Sequence, residues 1–118
     1  MKTGAELLAE AKARIREMPM AEAKSLLEQH APVVFLDIRE PNEWNLGHIP
    51  GAIFIPRGRL EGDVEARVPR ESRVIVYCAN ANRSAFGADT LQQLGYTDVV
   101  SMAPGWNGWV AAGGAVES

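Results

Sequence analysis

Cys78 is the only cysteine in the chain, and it ends the apolar run Val74-Ile75-Val76-Tyr77. β-Branched and aromatic residues in such a run predict a buried strand. The loop Ala79-Asn80-Ala81-Asn82 follows, and Arg83-Ser84 open a predicted helix that runs to Leu94. The thiol therefore stands where a strand hands over to a helix N-terminus. The first N–H groups of a helix lack intrahelical partners, and its dipole is positive there. Such a site binds anions and stabilises a thiolate, the nucleophilic form of cysteine. Arg83 closes the cradle from the far side of the loop. Most free cysteines are small buried hydrophobes. A strand end before a polar loop with an arginine favours the reactive reading over that one.

Other residues invite weaker readings. Asp37 and Arg39 end the apolar run Val33-Val34-Phe35-Leu36-Asp37-Ile38. They lie at the carboxyl edge, where open α/β sheets bind ligands. Fixing local turns by hydrogen bonds and ion pairs is preferred to catalysis for both. His48 lies in Gly47-His48-Ile49-Pro50-Gly51-Ala52, whose glycines and proline fix the backbone path. There it is read as satisfying buried backbone groups rather than as a general base. Arg57 and Arg59 follow a strand at Ala52-Ile53-Phe54-Ile55. Such arginines are usually solvated, but these two are candidates for meeting an anionic substrate. Cys78, His30 and His48 are too few and too scattered for a recognisable zinc site.

These residues need elements to hold them. Leu7, Leu8, Ala11, Ile15 and Met18 recur at helical spacing, so residues 4 to 17 are read as an amphipathic helix, with Glu10 and Arg14 paired outside. Pro19 is placed at the first position of a second helix, carrying Met20, Ala23, Leu26 and Leu27 inward and fraying before Pro32. Residues 33–38 are apolar on both faces, as in a parallel sheet covered on both sides. Residues 60–68 form a short helix, Gly95 caps the helix after Cys78, and 99–102 are a last strand. Trp106 and Trp109 anchor a final helix. Strands alternate with helical segments and no two-residue hairpin turn appears, which argues a parallel α/β sheet.

The chain has 118 residues, 47% hydrophobic and 23% charged, with a net charge of −3. That is one ordinary globular domain, and no basic run suggests nucleic acid. A lone cysteine leaves no internal disulfide and no resolving thiol. No stretch approaches the about 20 apolar residues of a membrane span, and residues 1–18 lack the apolar block of a signal peptide. A cytoplasmic setting is the expectation.

Three blocks resemble the rhodanese-like domains. The first is Leu36-Asp37-Ile38-Arg39-Glu40, with Glu43-Trp44 and Gly47-His48-Ile49-Pro50-Gly51-Ala52. The second is Tyr77-Cys78 with Arg83-Ser84-Ala85. The third is Ala103-Pro104-Gly105-Trp106, with Trp109 and Gly113. The match runs from about Met18 to Val116, leaving residues 1–17 as an N-terminal helical extension and 18–118 as the domain. The resemblance implies an α/β domain with a parallel five-stranded sheet and a persulfide carried on Cys78. The loop Cys78 to Arg83 would be the cradle, with Ala79, Asn80, Ala81, Asn82 and Ser84 around the sulfur and Arg83 on an anionic donor. Asp37, Arg39 and His48 would be structural support. Two departures stand out: Ala81 where glycine is common, and Pro104-Gly105 where two glycines are usual. Glycine takes positive φ freely; alanine there costs roughly 1 kcal/mol or more.

The implied activity is ping-pong sulfur transfer. The Cys78 thiolate attacks the outer sulfur of thiosulfate or a similar sulfane donor, and sulfite leaves. A thiol, cyanide or a protein acceptor then removes the sulfur, with no metal or organic cofactor. Cysteine phosphatases use the same parts, but those related to rhodanese have five residues between cysteine and arginine. Here there are four, Ala79 to Asn82, a smaller ring that suits one sulfur atom better than a phosphoryl group. A non-catalytic binding module is the rival from another class, and the presence of both Cys78 and Arg83 argues against it. A carrier of persulfide to a protein partner stands between the two.

Overall fold

The computed structural model describes residues 1–118. Five strands form one sheet: β1 (Arg16–Pro19), β2 (Val34–Asp37), β3 (Ile53–Phe54), β4 (Arg73–Tyr77) and β5 (Asp98–Ala103). Their spatial order is β1-β5-β4-β2-β3, and every pairing is parallel. Parallel neighbours need crossovers, so helices must lie on the sheet faces. They are α1 (Gly4–Arg14), α2 (Met20–Glu28), α3 (Pro41–Asn45), α4 (Leu60–Arg67), α5 (Asn82–Gln93) and α6 (Trp106–Ala111).

The two faces carry separate cores. On one, Leu60, Val64 and Val68 of the α4 segment and Ala88 and Leu91 of α5 pack on Leu36, Val74, Val76 and Val99. On the other, Ala23, Leu26 and Leu27 of α2 and Trp109 of α6 pack on Phe35, Ile75, Val100 and Met102. Alternate residues of β4 thus feed opposite cores, as a doubly covered strand requires. Cys78 belongs to the first, at the carboxyl end of the central strand.

The first helix stops at Arg14, and Arg16–Pro19 is an edge strand, which corrects a helix through residue 17. The spacing misleads because Met18 follows Ile15 by three and so continues the helical stripe. It is instead the one buried residue of a strand whose neighbours are exposed. Pro19 ends that strand and precedes α2 rather than opening it. Arg14 does not pair with Glu10. It reaches across to Asp89 of α5 with two bonds of 2.9 and 2.8 Å, while Lys2 takes Glu10. Thr3 and Glu6 close a capping box at the start of α1. No helix is long and apolar enough to cross a membrane.

Candidate active site

The site lies where β4 runs into α5. After Tyr77 the chain turns through Cys78, Ala79, Asn80 and Ala81, and α5 begins at Asn82, one residue earlier than the spacing predicts. Two local devices make the turn. The Asn80 side-chain oxygen accepts the Asn82 N–H at 3.2 Å, and Ala81 takes φ 75°, ψ 3°, a left-handed conformation. Alanine therefore stands in the backbone state that glycine favours, and the loop keeps the turn despite its methyl group.

Peptide orientation follows from a contact on the other side. The Trp106 N–H donates to the Cys78 carbonyl at 2.8 Å, and the Asn107 N–H to the Ala79 carbonyl at 3.1 Å. In a trans peptide the C=O and the following N–H point opposite ways. Tying those two carbonyls to α6 therefore turns the N–H groups of Ala79 and Asn80 the other way. No protein acceptor takes the N–H groups of Ala79, Asn80, Ala81 or Arg83. Gly105 makes the approach possible. A β-carbon there would stand 2.6 Å from the Cys78 carbonyl oxygen.

Cys78 is fully buried. Its Sγ accepts the Ser84 N–H at 3.2 Å and lies 3.5 Å from the Ser84 hydroxyl. That hydroxyl is 2.8 Å from the hydroxyl of Ser101 on β5, also fully buried. The amide on the sulfur belongs to the first turn of the twelve-residue helix α5, the end of a helix that suits an anion.

Arg83 is held. Its two terminal nitrogens meet the two carboxylate oxygens of Glu43 at 2.9 and 3.1 Å. Glu43 also accepts the Glu40 N–H at 2.8 Å, which fixes it at the start of α3 behind Pro41. The pairing pulls the Glu43 carboxyl below its usual range and raises Arg83.

At the carboxyl end of β2, Asp37 and Arg39 form a buried bidentate pair with a closest contact of 2.7 Å. Arg39 also donates to the Gly47 carbonyl at 2.7 Å and lies 4.6 Å from the ring centre of Trp106. Tyr77 accepts the Ile49 N–H on its hydroxyl, and burial pushes that hydroxyl's pKa up. His48 stacks on Trp44 and contacts the Trp44 carbonyl and Glu117 through its two ring nitrogens. Asp37, Arg39 and His48 thus brace loops and touch no sulfur.

The structure brings Cys78, Ala79, Asn80, Ala81, Asn82, Arg83 and Ser84 together. It spends the Arg57 guanidinium elsewhere, on Glu61 at 2.9 Å and on Thr90 at 3.2 Å. Thr90 lies about two turns along α5 from the cradle. Arg59 pairs with Asp63. Sequence reading missed the parts played by Glu43, Ser101 and Gly105. Pro41 with Glu at 40 and 43 is a helix-start signature, and Ser101 is the one hydroxyl in an apolar strand buried on both faces. Gly105 shows its role only through a contact distant in sequence.

Comparison with known proteins adds an independent line. A family model described as the rhodanese-like domain matches residues 19–112. The thiosulfate sulfurtransferase GlpE of Tolumonas auensis is 33% identical over 88 residues, covering 75% of this chain and 81% of that protein. The probable adenylyltransferase/sulfurtransferase MoeZ of Mycobacterium tuberculosis is 29% identical over 89 residues. That match covers 75% of this chain but only 23% of MoeZ. A solved structure from Rhodopseudomonas palustris superposes with a TM-score of 0.90 at 32% identity, covering 99% of this chain and 96% of that one. It is described as a protein of unknown function and possible tyrosine phosphatase.

Proposed function

The chain belongs to the rhodanese-like domain family, and from that premise we propose that it moves sulfane sulfur through a Cys78 persulfide. The observation that carries the proposal is the Cys78 sulfur under the Ser84 N–H, with the amides of residues 79–81 and 83 unpaired beside it. In the first half-reaction the Cys78 thiolate attacks the sulfane sulfur of the donor. An S–S bond forms to Cys78, the donor's S–S bond breaks, and its electron pair leaves with sulfite when the donor is thiosulfate. The terminal persulfide sulfur is negative, and the loop amides are its natural partners, a stabilisation of the oxyanion-hole kind. In the second half-reaction a thiol, cyanide or a cysteine of a protein acceptor attacks the terminal sulfur and restores the thiolate. Each step keeps charge and atoms balanced without metal or organic cofactor. A cytoplasmic setting, where thiols stay reduced, suits a lone reactive cysteine.

Intact-mass measurement after thiosulfate treatment tests the proposal. The wild type is expected to gain one sulfur, and Cys78→Ala to gain none and to lose thiosulfate:cyanide transfer entirely while keeping its fold. Sulfur loading of the Ala variant would end the reading.

The Rhodopseudomonas palustris relative supports a second reading, phosphate-ester hydrolysis. We rank it behind because only four residues separate Cys78 from Arg83 and none of them is a carboxylate that could protonate a leaving alkoxide. Release of phosphate from p-nitrophenyl phosphate, without sulfur loading, would reverse the order.

A further inference from the structure

Arg83, Arg57 and Arg59, the arginines that sequence offers to an anionic donor, are all spent on carboxylates. Arg83 is taken by Glu43, Arg57 by Glu61 and Arg59 by Asp63. Only the first pair stands at the cradle. Its carboxylate is anchored twice, by the fork of Arg83 and by the Glu40 N–H. A bidentate pair matches the guanidinium fork and resists displacement. Each terminal nitrogen of Arg83 therefore gives one N–H to Glu43, and the edge of the cradle carries a negative charge beside its positive one. A donor at the cradle thus meets loop amides, which provide dipoles, beside an ion pair that carries no net charge.

We propose that Glu43 is a specificity-determining residue that, by occupying Arg83, makes the cradle favour a singly charged sulfane donor over a doubly charged one. The inference rests on the sulfur-transfer reading and narrows its substrate class. Thiosulfate is a dianion, and its second charge meets the Glu43 carboxylate without a free cation to offset it. A monoanion such as an organic persulfide or an alkanethiosulfonate carries the same attackable sulfur with one charge less.

Two donors of closely similar shape separate charge from fit: thiosulfate and methanethiosulfonate. With the latter, attack by the Cys78 thiolate forms the persulfide, breaks the donor's S–S bond and releases methanesulfinate. The readout is the ratio of kcat/KM for thiosulfate to that for methanethiosulfonate, with persulfide confirmed by intact mass. Glu43→Gln keeps an acceptor for the Glu40 N–H and removes the charge. It is expected to raise the ratio about three- to tenfold at low ionic strength, with the gain shrinking in high salt. Glu43→Asp, which keeps the charge, is expected to stay within about twofold of the wild type. Should Glu43→Gln fail to fold, the salt dependence of the wild-type ratio tests the same charge. The ratio is expected to rise with ionic strength as the repulsion is screened, and a ratio that falls would mean that a cation holds the dianion and would overturn the inference. A Glu43→Gln variant in which both donors change equally would make Glu43 a brace for Arg83 and overturn the inference. No sulfur gain by the wild type from either donor would instead overturn the sulfur-transfer reading, and this one with it.

Discussion

At the scale of single residues, Ala81 is the informative one. Its φ of 75° places a β-carbon where glycine carries none. The left-handed state costs an L-residue roughly 1–2 kcal/mol. Ala81→Gly removes that strain but adds freedom to the unfolded chain, which takes back roughly 0.4–1 kcal/mol. The net expectation is a gain of up to about 1 kcal/mol in denaturant melts, with sulfur transfer unchanged or faster. A clear loss of stability would mean that the buried methyl group contributes more by packing than it costs in strain. The sequence posed this question without answering it. Spacing placed Ala81 in the cradle, but only the fold, which fixes Cys78 and α5 at either end, decides its φ. Arg83 is the opposite case: its position was legible, but its engagement with Glu43 was not, because the partner lies on another element.

At the scale of elements, the pairing of α6 with the cysteine loop sets the direction of the cradle amides. Gly105→Ala tests it. The added carbon meets two carbonyl oxygens of the loop at 2.6 and 3.0 Å, on a backbone at φ 103° that alanine rarely adopts. Backbone cannot yield as a flexible side chain would. The variant is expected to lose about 2 kcal/mol or more of stability and most of its persulfide loading. Near-normal loading would show that the amides hold their direction without α6. Strands β2, β4 and β5 and helices α4 and α5 were readable because apolar runs and helical spacing report a doubly covered parallel sheet. The edge strand β1 was not. It buries only Met18, and one buried residue in four sets no alternation.

At the scale of the whole molecule, the Arg14–Asp89 pair straps α1 onto α5, the helix whose N-terminus forms the site. Arg14 hydrogen-bonds Asp89 and holds its carboxyl below the usual range. A carboxyl lowered in the folded state contributes stability above its unfolded value of about 3.9, and loses it as pH falls through the folded value. Glu43, lowered by Arg83, acts with the same sign. Stability is thus expected to decline on acidification below about pH 4. Asp89→Asn should lower Tm slightly at neutral pH and flatten that acid decline, as thermal melts across pH would record. An unchanged acid slope would assign the decline to other carboxyls. The order of strands also bears on how the protein folds. The first strand of the chain lies beside the last, with Arg16 paired to Val100 and Met18 to Met102. The sheet therefore cannot be completed until residues 100–103 have joined residues 16–19. Closing so long a loop is entropically costly and slows folding. Until then the hydrogen-bonding edge of β4 that pairs with β5 stays open, and an unpaired strand edge is prone to aggregation.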